Sequence, residues 1–500
     1  MVVFRATFHQ TAEFLNLPTA PPPLRSPRLW RDLVALASGQ LASKVLGFAA
    51  FAYLARVLAP HAYGAVEYAA GLALIAGMFV DAGLSPIGVR RIGRDPRTAE
   101  LVSAEILGAR FVLTLAVALT LGLCALALAP DPLSARLIAV YAVSLLALPW
   151  SQMWLFQAVD RIVWTAVVQT VRMGTFLLVV VMLVCDTRQV LWVGGAELAG
   201  LALSGACALE LQRRHVAPVR LRLGGRRMVE LLGESLPIGL ANLVGILIAF
   251  APLLVAVNLL GAGAAAHFAA AHRLFFALMT FTWIYHFNLF PVLARSDAGA
   301  EARLRPLVES SLRLVAWVGM AAALLLTLVA APLLAAMFGP PFARAAGAFG
   351  VLVWALPVKL LADHAGWLLI ANGGERSVFA VRLAGLGVAF AAGVPLVRAW
   401  GPAGGAAAML AAAAVIWIGL HRMARRLLGW MPWTPALAAI AVALALLAAT
   451  RALALPPLGA AMLAAAGFAA AALPLRRVLV ADYRRLATAK ARAREGDSTP

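Results

Sequence analysis

Charged side chains are scarce in this chain of 500 residues. Asp, Glu, Lys and Arg together make up 13% of it, about half the share found in soluble domains. Hydrophobic residues make up 63% and the mean hydropathy is +0.90, so a soluble globular domain is excluded. Several apolar runs approach the ~20 residues that cross a bilayer, among them 113–129, 315–331 and 436–450. The sequence therefore predicts an all-α polytopic membrane protein.

Cysteine and acidic residues are also few. The three cysteines, Cys124, Cys185 and Cys207, lie in or beside apolar segments without a spaced pattern, so neither a disulfide framework nor a metal site is predicted. The 22 Asp and Glu residues are outnumbered by 42 Lys and Arg residues, which gives a net charge of +20. These cations form short clusters between apolar runs rather than a basic domain, so we expect no nucleic-acid partner.

The beginning of the chain lacks the pattern of a signal peptide. Residues 1–32 contain four arginines and a run of three prolines, but no apolar core of 7–15 residues followed by a small-residue cleavage site. They are predicted to form a cytoplasmic N-terminal tail.

About fourteen apolar segments follow this tail. They are predicted at 33–58, 65–89, 101–129, 137–158, 163–184, 190–209, 231–260, 264–290, 307–338, 345–370, 378–397, 404–420, 436–450 and 458–473. Most arginines between these segments fall on every second connection, as at 90–97 and 213–227, although two connections of this set carry only Arg161 or Arg376; the alternate connections carry about one cation each. Because Lys and Arg mark the cytoplasmic ends of membrane helices, both termini are predicted to be cytoplasmic.

A faint internal repeat relates the two halves. The segment LAPHAYGAVEY at 58–68 has a counterpart, LGAGAAAHF, at 260–268. Each joins a long helix with a mid-helix amide, Gln40 or Asn242, to the next helix through a short loop of small residues. Two repeated bundles that meet around a central site are typical of transporters.

Three stretches resemble a known family. They read GQLASKVLGFAAFAYLARVLAPHAYGAVEYA, DAGLSPIGVRRIGRD, and AAAHFAAAHRLFFALMTF followed by LFPVLAR. They are similar to the polysaccharide-transporter, or O-antigen flippase, family of the multidrug/oligosaccharidyl-lipid/polysaccharide exporter superfamily. The similarity spans residues 30–426, and Ala59 stands where the family commonly has glycine.

This resemblance implies two six-helix bundles in a V around a central cavity, with two further helices. The implied domains are the tail 1–32, an N-terminal bundle 33–229, a C-terminal bundle 230–421, two helices in 422–475 and a basic cytoplasmic tail 476–500. It also implies a flippase of the bacterial inner membrane that moves an undecaprenyl-diphosphate-linked oligosaccharide to the periplasmic leaflet for O-antigen or exopolysaccharide synthesis. Membrane lipids and the polysaccharide polymerase and chain-length machinery are the implied partners.

Cations inside the predicted helices are the candidate substrate-binding residues, because an intramembrane charge is costly and marks a functional site. Two of the seven, Arg313 and Arg382, lie near cytoplasmic ends and are expected to extend towards water. The other five are predicted to bind the diphosphate, since Arg and Lys match phosphate oxygens. They are Arg273, Lys44, Arg172, Arg110 and Lys359.

Neighbouring acids leave a structural alternative for two of these cations. Asp363 follows Lys359 at i,i+4, which favours a local ion pair, and Glu105 is one turn from Arg110. Arg273 is the leading candidate because it falls in a segment that carries the family resemblance.

Sugar hydroxyls and coupling ions need other side chains. The sugar-contact candidates are amides and aromatics, although ordinary helix packing is the alternative role for each; they are Gln40, Asn242, Gln169, Trp283, Tyr285 and Asn288. Asp81, Asp363 and Glu197 are the coupling candidates for H+ or Na+. No other cofactor is expected, and the helix histidines are predicted to pack.

Three other functions remain open. A lipid-linked peptidoglycan precursor flippase has the same type of anionic cargo. A multidrug or cation antiporter shares the superfamily, but its cargo favours an acidic cavity. A membrane glycosyltransferase or ligase uses the same lipid carrier, but needs catalytic residues in outer loops larger than those at 59–64, 261–263 and 399–403.

Overall fold

The computed structural model describes residues 27–294 and 301–495, with 27–38 and several shorter stretches described by their backbone alone. Within these residues every regular element is a helix. The chain forms two compact units, which we call the N-unit (residues 25–269) and the C-unit (residues 270–500).

Helices of the N-unit run from Pro27 into a long helix that ends in the C-unit. They are α1 (Pro27–Val57), α2 (Pro60–Asp81), α3 (Leu84–Arg94), α4 (Ala99–Leu128), α5 (Pro132–Ser144), α6 (Met153–Ala158), α7 (Ile162–Leu183), α8 (Trp192–His215) and α9 (Gly225–Ala294).

The remaining helices belong to the C-unit. They are α10 (Glu301–Leu328), α11 (Ala330–Phe338), α12 (Ala346–Leu352), α13 (Ala355–Ala371), α14 (Glu375–Trp400), α15 (Pro402–Leu428), α16 (Thr434–Ala452), α17 (Pro457–Ala472) and α18 (Arg476–Glu495). Short 3₁₀ turns connect several neighbours, for example Leu145–Trp150 between α5 and α6.

The described residues contain 12 helical stretches that are long and apolar enough to cross a membrane. One of them, Gly225–Thr282, has 58 residues and is two helices joined at Gly261, where φ is 77° and ψ is 162°. Counting its two arms separately and adding the 31-residue α1 agrees with the prediction of about fourteen helices.

Proline sets the start of many helices. Pro60, Pro132, Pro402 and Pro457 lie in the first turn of α2, α5, α15 and α17. In the first turn a backbone N–H makes no hydrogen bond within the helix, so the N–H that proline lacks is not missed, and the fixed φ of proline is already helical. α1 begins in the same way at Pro27, so the end of the predicted tail 1–32 is helical.

The predicted second segment, 65–89, is two helices rather than one. Ala82 and Gly83 adopt left-handed φ values of 43° and 81°, which end α2 at Asp81 and start α3 at Leu84. Gly83 lies against the backbone of Ser235 in α9. A side chain at Gly83 would collide with that backbone, so glycine permits both the turn and the close approach.

Small residues also explain why the first arm of α9 packs in the N-unit. The predicted boundary at 229/230 falls in the first turns of α9, whose first arm belongs to the N-unit. Gly64 of α2 packs directly on the carbonyl oxygen of Ala262. Such contacts allow helix backbones to approach closely, which is the usual basis of helix association in membranes.

The predicted tail 476–500 contains a docked helix. Asp482 of α18 is 1% exposed and accepts hydrogen bonds from Ser310 Oγ at 2.7 Å and Arg313 Nη1 at 2.6 Å. Arg313 was expected to extend towards water, but it reaches this carboxylate instead. A buried carboxylate needs such partners, so α18 is held against α10.

Candidate functional site

Arg110 of α4 connects two helix breaks in the N-unit. Its Nη2 donates to Asp81 Oδ1 and to Ser85 Oγ, and Ser85 Oγ donates to Asp81 Oδ1 at 2.5 Å. Asp81 is the last residue of α2, directly before the left-handed turn. Arg110 Nη1 reaches the carbonyl of Ser151 at 3.4 Å, where the 3₁₀ turn ends before α6. The guanidinium thus binds a carboxylate and a hydroxyl beside one helix break and a backbone carbonyl at the other.

The predicted neutralising partner of Arg110 was wrong. Glu105 accepts instead from Arg227 Nη1 at 3.3 Å and lies 4.0 Å from Arg222. Only 10% of the Arg110 side chain is exposed, against 23% for that of Asp81. This is therefore a largely buried ion pair between different helices.

Arg172 forms a second pair in the N-unit. Its Nη2 donates to Glu197 Oε1 of α8, and the two side chains are 25% and 15% exposed. Gly200 of α8 lies against the backbone of Arg172, which explains why α7 and α8 come close enough for this contact.

Four of the predicted site residues lie on the neighbouring helices α1 and α7: Gln40, Lys44, Gln169 and Arg172. Gly39 packs on Ala166 and Gly47 on Met173, so the two helices run in the same direction. This register brings Lys44 to the level of Arg172. Lys44 is exposed on the surface of the N-unit.

Two of the sugar-contact candidates flank the same contact between helices. Gln40 and Gln169 are half-buried beside the hydrogen bond from Thr170 Oγ1 to Gly39 O, which measures 3.4 Å. Asn242, on the first arm of α9, is exposed.

The C-unit contains the other candidate cations. Arg273 is half-buried on the second arm of α9. Lys359 Nζ lies 3.0 Å and 2.9 Å from the two carboxylate oxygens of Asp363, so the local pair favoured by the i,i+4 spacing forms. The Lys359 side chain remains 43% exposed, whereas that of Asp363 is 15% exposed.

Tyr285 belongs to a hydrogen-bonded network inside the C-unit. Its hydroxyl lies 2.6 Å from Ser311 Oγ, which lies 2.5 Å from His364 Nε2. His364 Nδ1 is 3.0 Å from His286 Nε2, and His286 Nδ1 donates to Thr282 O at 2.9 Å. Sequence reasoning had predicted that both histidines only pack. The side chains of Trp283 and Asn288, two other sugar-contact candidates, lie outside the described residues.

Three of the five candidate anion-binding residues form ion pairs with the three candidate coupling residues. Asp81, Glu197 and Asp363 are the partners of Arg110, Arg172 and Lys359; these are the three carboxylates that were assigned to coupling from the sequence. Each pair is close to neutral as a unit, so an anionic ligand must compete with a carboxylate for its cation. The described residues contain no group of three or more His, Cys, Asp or Glu side chains arranged to hold a metal ion.

Comparisons with known proteins agree with this architecture. A family model described as polysaccharide biosynthesis protein matches residues 29–297. No curated protein matches the chain.

Two solved structures cover most of the chain. One is described as lipid II flippase MurJ in an inward closed conformation, with a TM-score of 0.69 and 12% identity over 89% of this chain and 100% of that one. Another is an inward-facing multidrug resistance MATE family transporter of the MOP superfamily, with a TM-score of 0.59 and 15% identity over 80% of this chain and 100% of that one. The all-α membrane fold predicted from the sequence is confirmed.

Proposed function

We propose, from the premise that this chain belongs to the polysaccharide biosynthesis protein family, that it is a flippase for an undecaprenyl-diphosphate-linked oligosaccharide. It would carry this lipid from the cytoplasmic to the periplasmic leaflet of a bacterial inner membrane, for O-antigen or exopolysaccharide synthesis. The family match carries the proposal, and a transporter fold favours transport over enzymatic chemistry.

The intramembrane cations support an anionic cargo. A diphosphate brings negative charge into a layer of low dielectric, where an isolated charge is costly. Lys44 is exposed, Arg273 is half-buried and Lys359 keeps 43% of its side chain exposed. Binding of the cargo there requires Lys359 to exchange the Asp363 carboxylate for a phosphate oxygen.

The pattern of cations supports the orientation. Most arginines between the apolar segments fall on every second connection, and such arginines mark the cytoplasmic side. Both termini would then be cytoplasmic. The polymerase and chain-length machinery would receive the product on the other side, and the three carboxylates are the residues through which H+ or Na+ would be coupled.

A lipid-linked peptidoglycan precursor is the second candidate cargo. The fold similarity to a protein described as a lipid II flippase favours it, and its diphosphate would meet the same cations. A multidrug or cation antiporter is less favoured, because a cation cargo favours an acidic cavity, whereas the five candidate cations in these helices outnumber the three candidate carboxylates.

Depletion of the protein tests the cargo. We expect one lipid-linked oligosaccharide to accumulate on the cytoplasmic leaflet, measured by extraction and mass spectrometry. Accumulation of peptidoglycan precursor instead would identify the second candidate. Drug sensitivity without any accumulated lipid-linked glycan would refute the flippase proposal.

Arg273→Ala tests the leading cation. We expect complementation of a deletion strain to fall at least tenfold at unchanged membrane abundance, because loss of one charge-assisted phosphate contact costs about 1.5–3 kcal/mol. Arg136→Ala is the matched control, since Arg136 is exposed near the start of α5. Equal complementation by both variants would remove Arg273 from the site.

A further inference from the structure

Two adjoining cavities lie at the end of α15 in the C-unit. The larger has a volume of about 550 Å³ and is lined by Arg422, Arg425, Arg426 and Trp433. The smaller, of about 370 Å³, shares Arg425 and Trp433 and adds Trp430 and, from α10, Arg305, which pairs with Glu309 at 3.0 Å. Arginines and two tryptophans thus line the same region. None of these residues belongs to the intramembrane pairs described above.

The segment that lines these cavities after α15 is fixed by buried side chains and a hydrogen bond. Gly429 has a left-handed φ of 74°, which ends α15 and turns the chain back towards the core. The next residues, Trp430 and Met431, are 7% and 3% exposed. His421 Nε2 donates to Met431 O at 3.1 Å, and its ring centroid lies 3.7 Å from that of Trp433. The indole is therefore held in place before any ligand arrives.

The three arginines of α15 have no acidic partner within the described residues, and all three are exposed. Some other exposed arginines at helix ends are neutralised locally, although Arg398 and Arg451 are not paired with any acid in the described part of the chain. Arg213 and Arg214 pair with Glu210, and Arg226 pairs with Glu230 at 3.0 Å. Topology alone requires cations, but it does not require them to be unpaired around a cavity.

We propose that these cavities bind the phosphate of an anionic lipid headgroup in the adjacent leaflet. Arginine presents planar donors that match phosphate oxygens, and basic pockets at membrane helix ends recognise lipid phosphates. Trp433 supplies an amphipathic ring at the depth of the headgroups, where tryptophan is favoured. The phosphate belongs either to a bulk anionic phospholipid or to a polyprenyl diphosphate, and both present the same charged group.

Native mass spectrometry of the full-length protein tests this site. The probes are phosphatidylglycerol, phosphatidylcholine, a polyprenyl diphosphate and inorganic phosphate, each added to the protein in detergent. The cluster variant is Arg422→Gln/Arg425→Gln/Arg426→Gln. The control variant, Arg213→Gln/Arg214→Gln/Arg226→Gln, removes the same charge from arginines that are already paired.

We expect the wild type and the control variant to retain phosphatidylglycerol or the polyprenyl diphosphate in preference to phosphatidylcholine. Retention by the cluster variant should fall at least tenfold, since each basic residue near a membrane surface contributes about a fivefold gain in binding. Preference between the two anionic lipids identifies the source of the phosphate, and either preference supports the proposal.

Three results would overturn it. Equal retention by the wild type and the cluster variant excludes these arginines, and equal losses in both variants show that position is unimportant. Complete displacement of lipid by an equal concentration of inorganic phosphate assigns the site to a free anion. The measurement does not depend on what the protein transports, so it is independent of the flippase proposal.

Discussion

Replacing Arg110 with methionine tests its ion pair with Asp81, which lies at the break between α2 and α3. Methionine keeps most of the length of the side chain and removes its charge and donors. The change leaves the Asp81 carboxylate with the Ser85 hydroxyl alone. It also removes the bond to the Ser151 carbonyl, which is long at 3.4 Å and contributes little.

The expected loss follows from burial. Removing one partner of a fully buried pair costs about 3–5 kcal/mol, because the other charge stays buried without compensation. The Asp81 side chain keeps 23% of its surface exposed, so partial hydration reduces the penalty to about 2–3 kcal/mol. Asp81→Asn added to Arg110→Met removes the unpaired charge, and we expect it to restore about 1–2 kcal/mol.

The free energy of unfolding in mixed micelles, measured by SDS titration, provides the test. Arg136→Met is the control, because it removes an exposed arginine and should change the value by less than about 0.5 kcal/mol. If the double variant were no more stable than Arg110→Met alone, the energetic coupling between Arg110 and Asp81 would be refuted. The pair would then contribute nothing as a pair.

Two further predictions concern packing between helices. Gly64→Ala should lower the unfolding free energy by about 1–3 kcal/mol, because the new methyl group meets the carbonyl of Ala262. The control Gly122→Ala, at a helical position with open space, should leave the unfolding free energy unchanged or raise it. Equal effects in both variants would contradict this packing. Asp482→Asn should weaken the docking of α18 by about 1.5–3 kcal/mol through loss of its charged hydrogen bonds. Limited trypsin digestion should then cut α18 at least several times faster than in the wild type, and an unchanged rate would show that other contacts hold it.

The membrane class, the helix number and the family could all be predicted from the sequence. Apolar runs of sufficient length are local features, and the motifs around 58–68 and 264–281 are contiguous. The family resemblance is confirmed by the match over residues 29–297. The pair between Lys359 and Asp363 could also be anticipated, because both residues lie on one helix face.

The other two pairs could not be predicted in the same way. The contact of Arg110 with Asp81 depends on a left-handed turn at Ala82, a residue that rarely adopts this conformation. Glu105, on the same helix as Arg110, was the nearer acid in sequence and was therefore preferred. Only Ser85, at i,i+4 from Asp81, gave a local sign that this carboxylate would be bonded.

Likewise, the pair of Arg172 with Glu197 depends on the close approach of α7 and α8 at Gly200. Glycines are common in this chain, with 41 in all, so no single one predicts a contact. The hydrogen-bonded network around Tyr285 could not be predicted from the sequence either, because its members come from three separate helices.

The spacing of the three ion pairs has a consequence for how the chain is made. The partners are separated by 29, 25 and 4 residues for Arg110, Arg172 and Lys359. Asp81 is synthesised before its partner Arg110. Arg172 is synthesised before its partner Glu197, which lies on the next helix. Each charge therefore meets its counterion while neighbouring segments are leaving the ribosome, and insertion need not wait for a distant part of the protein.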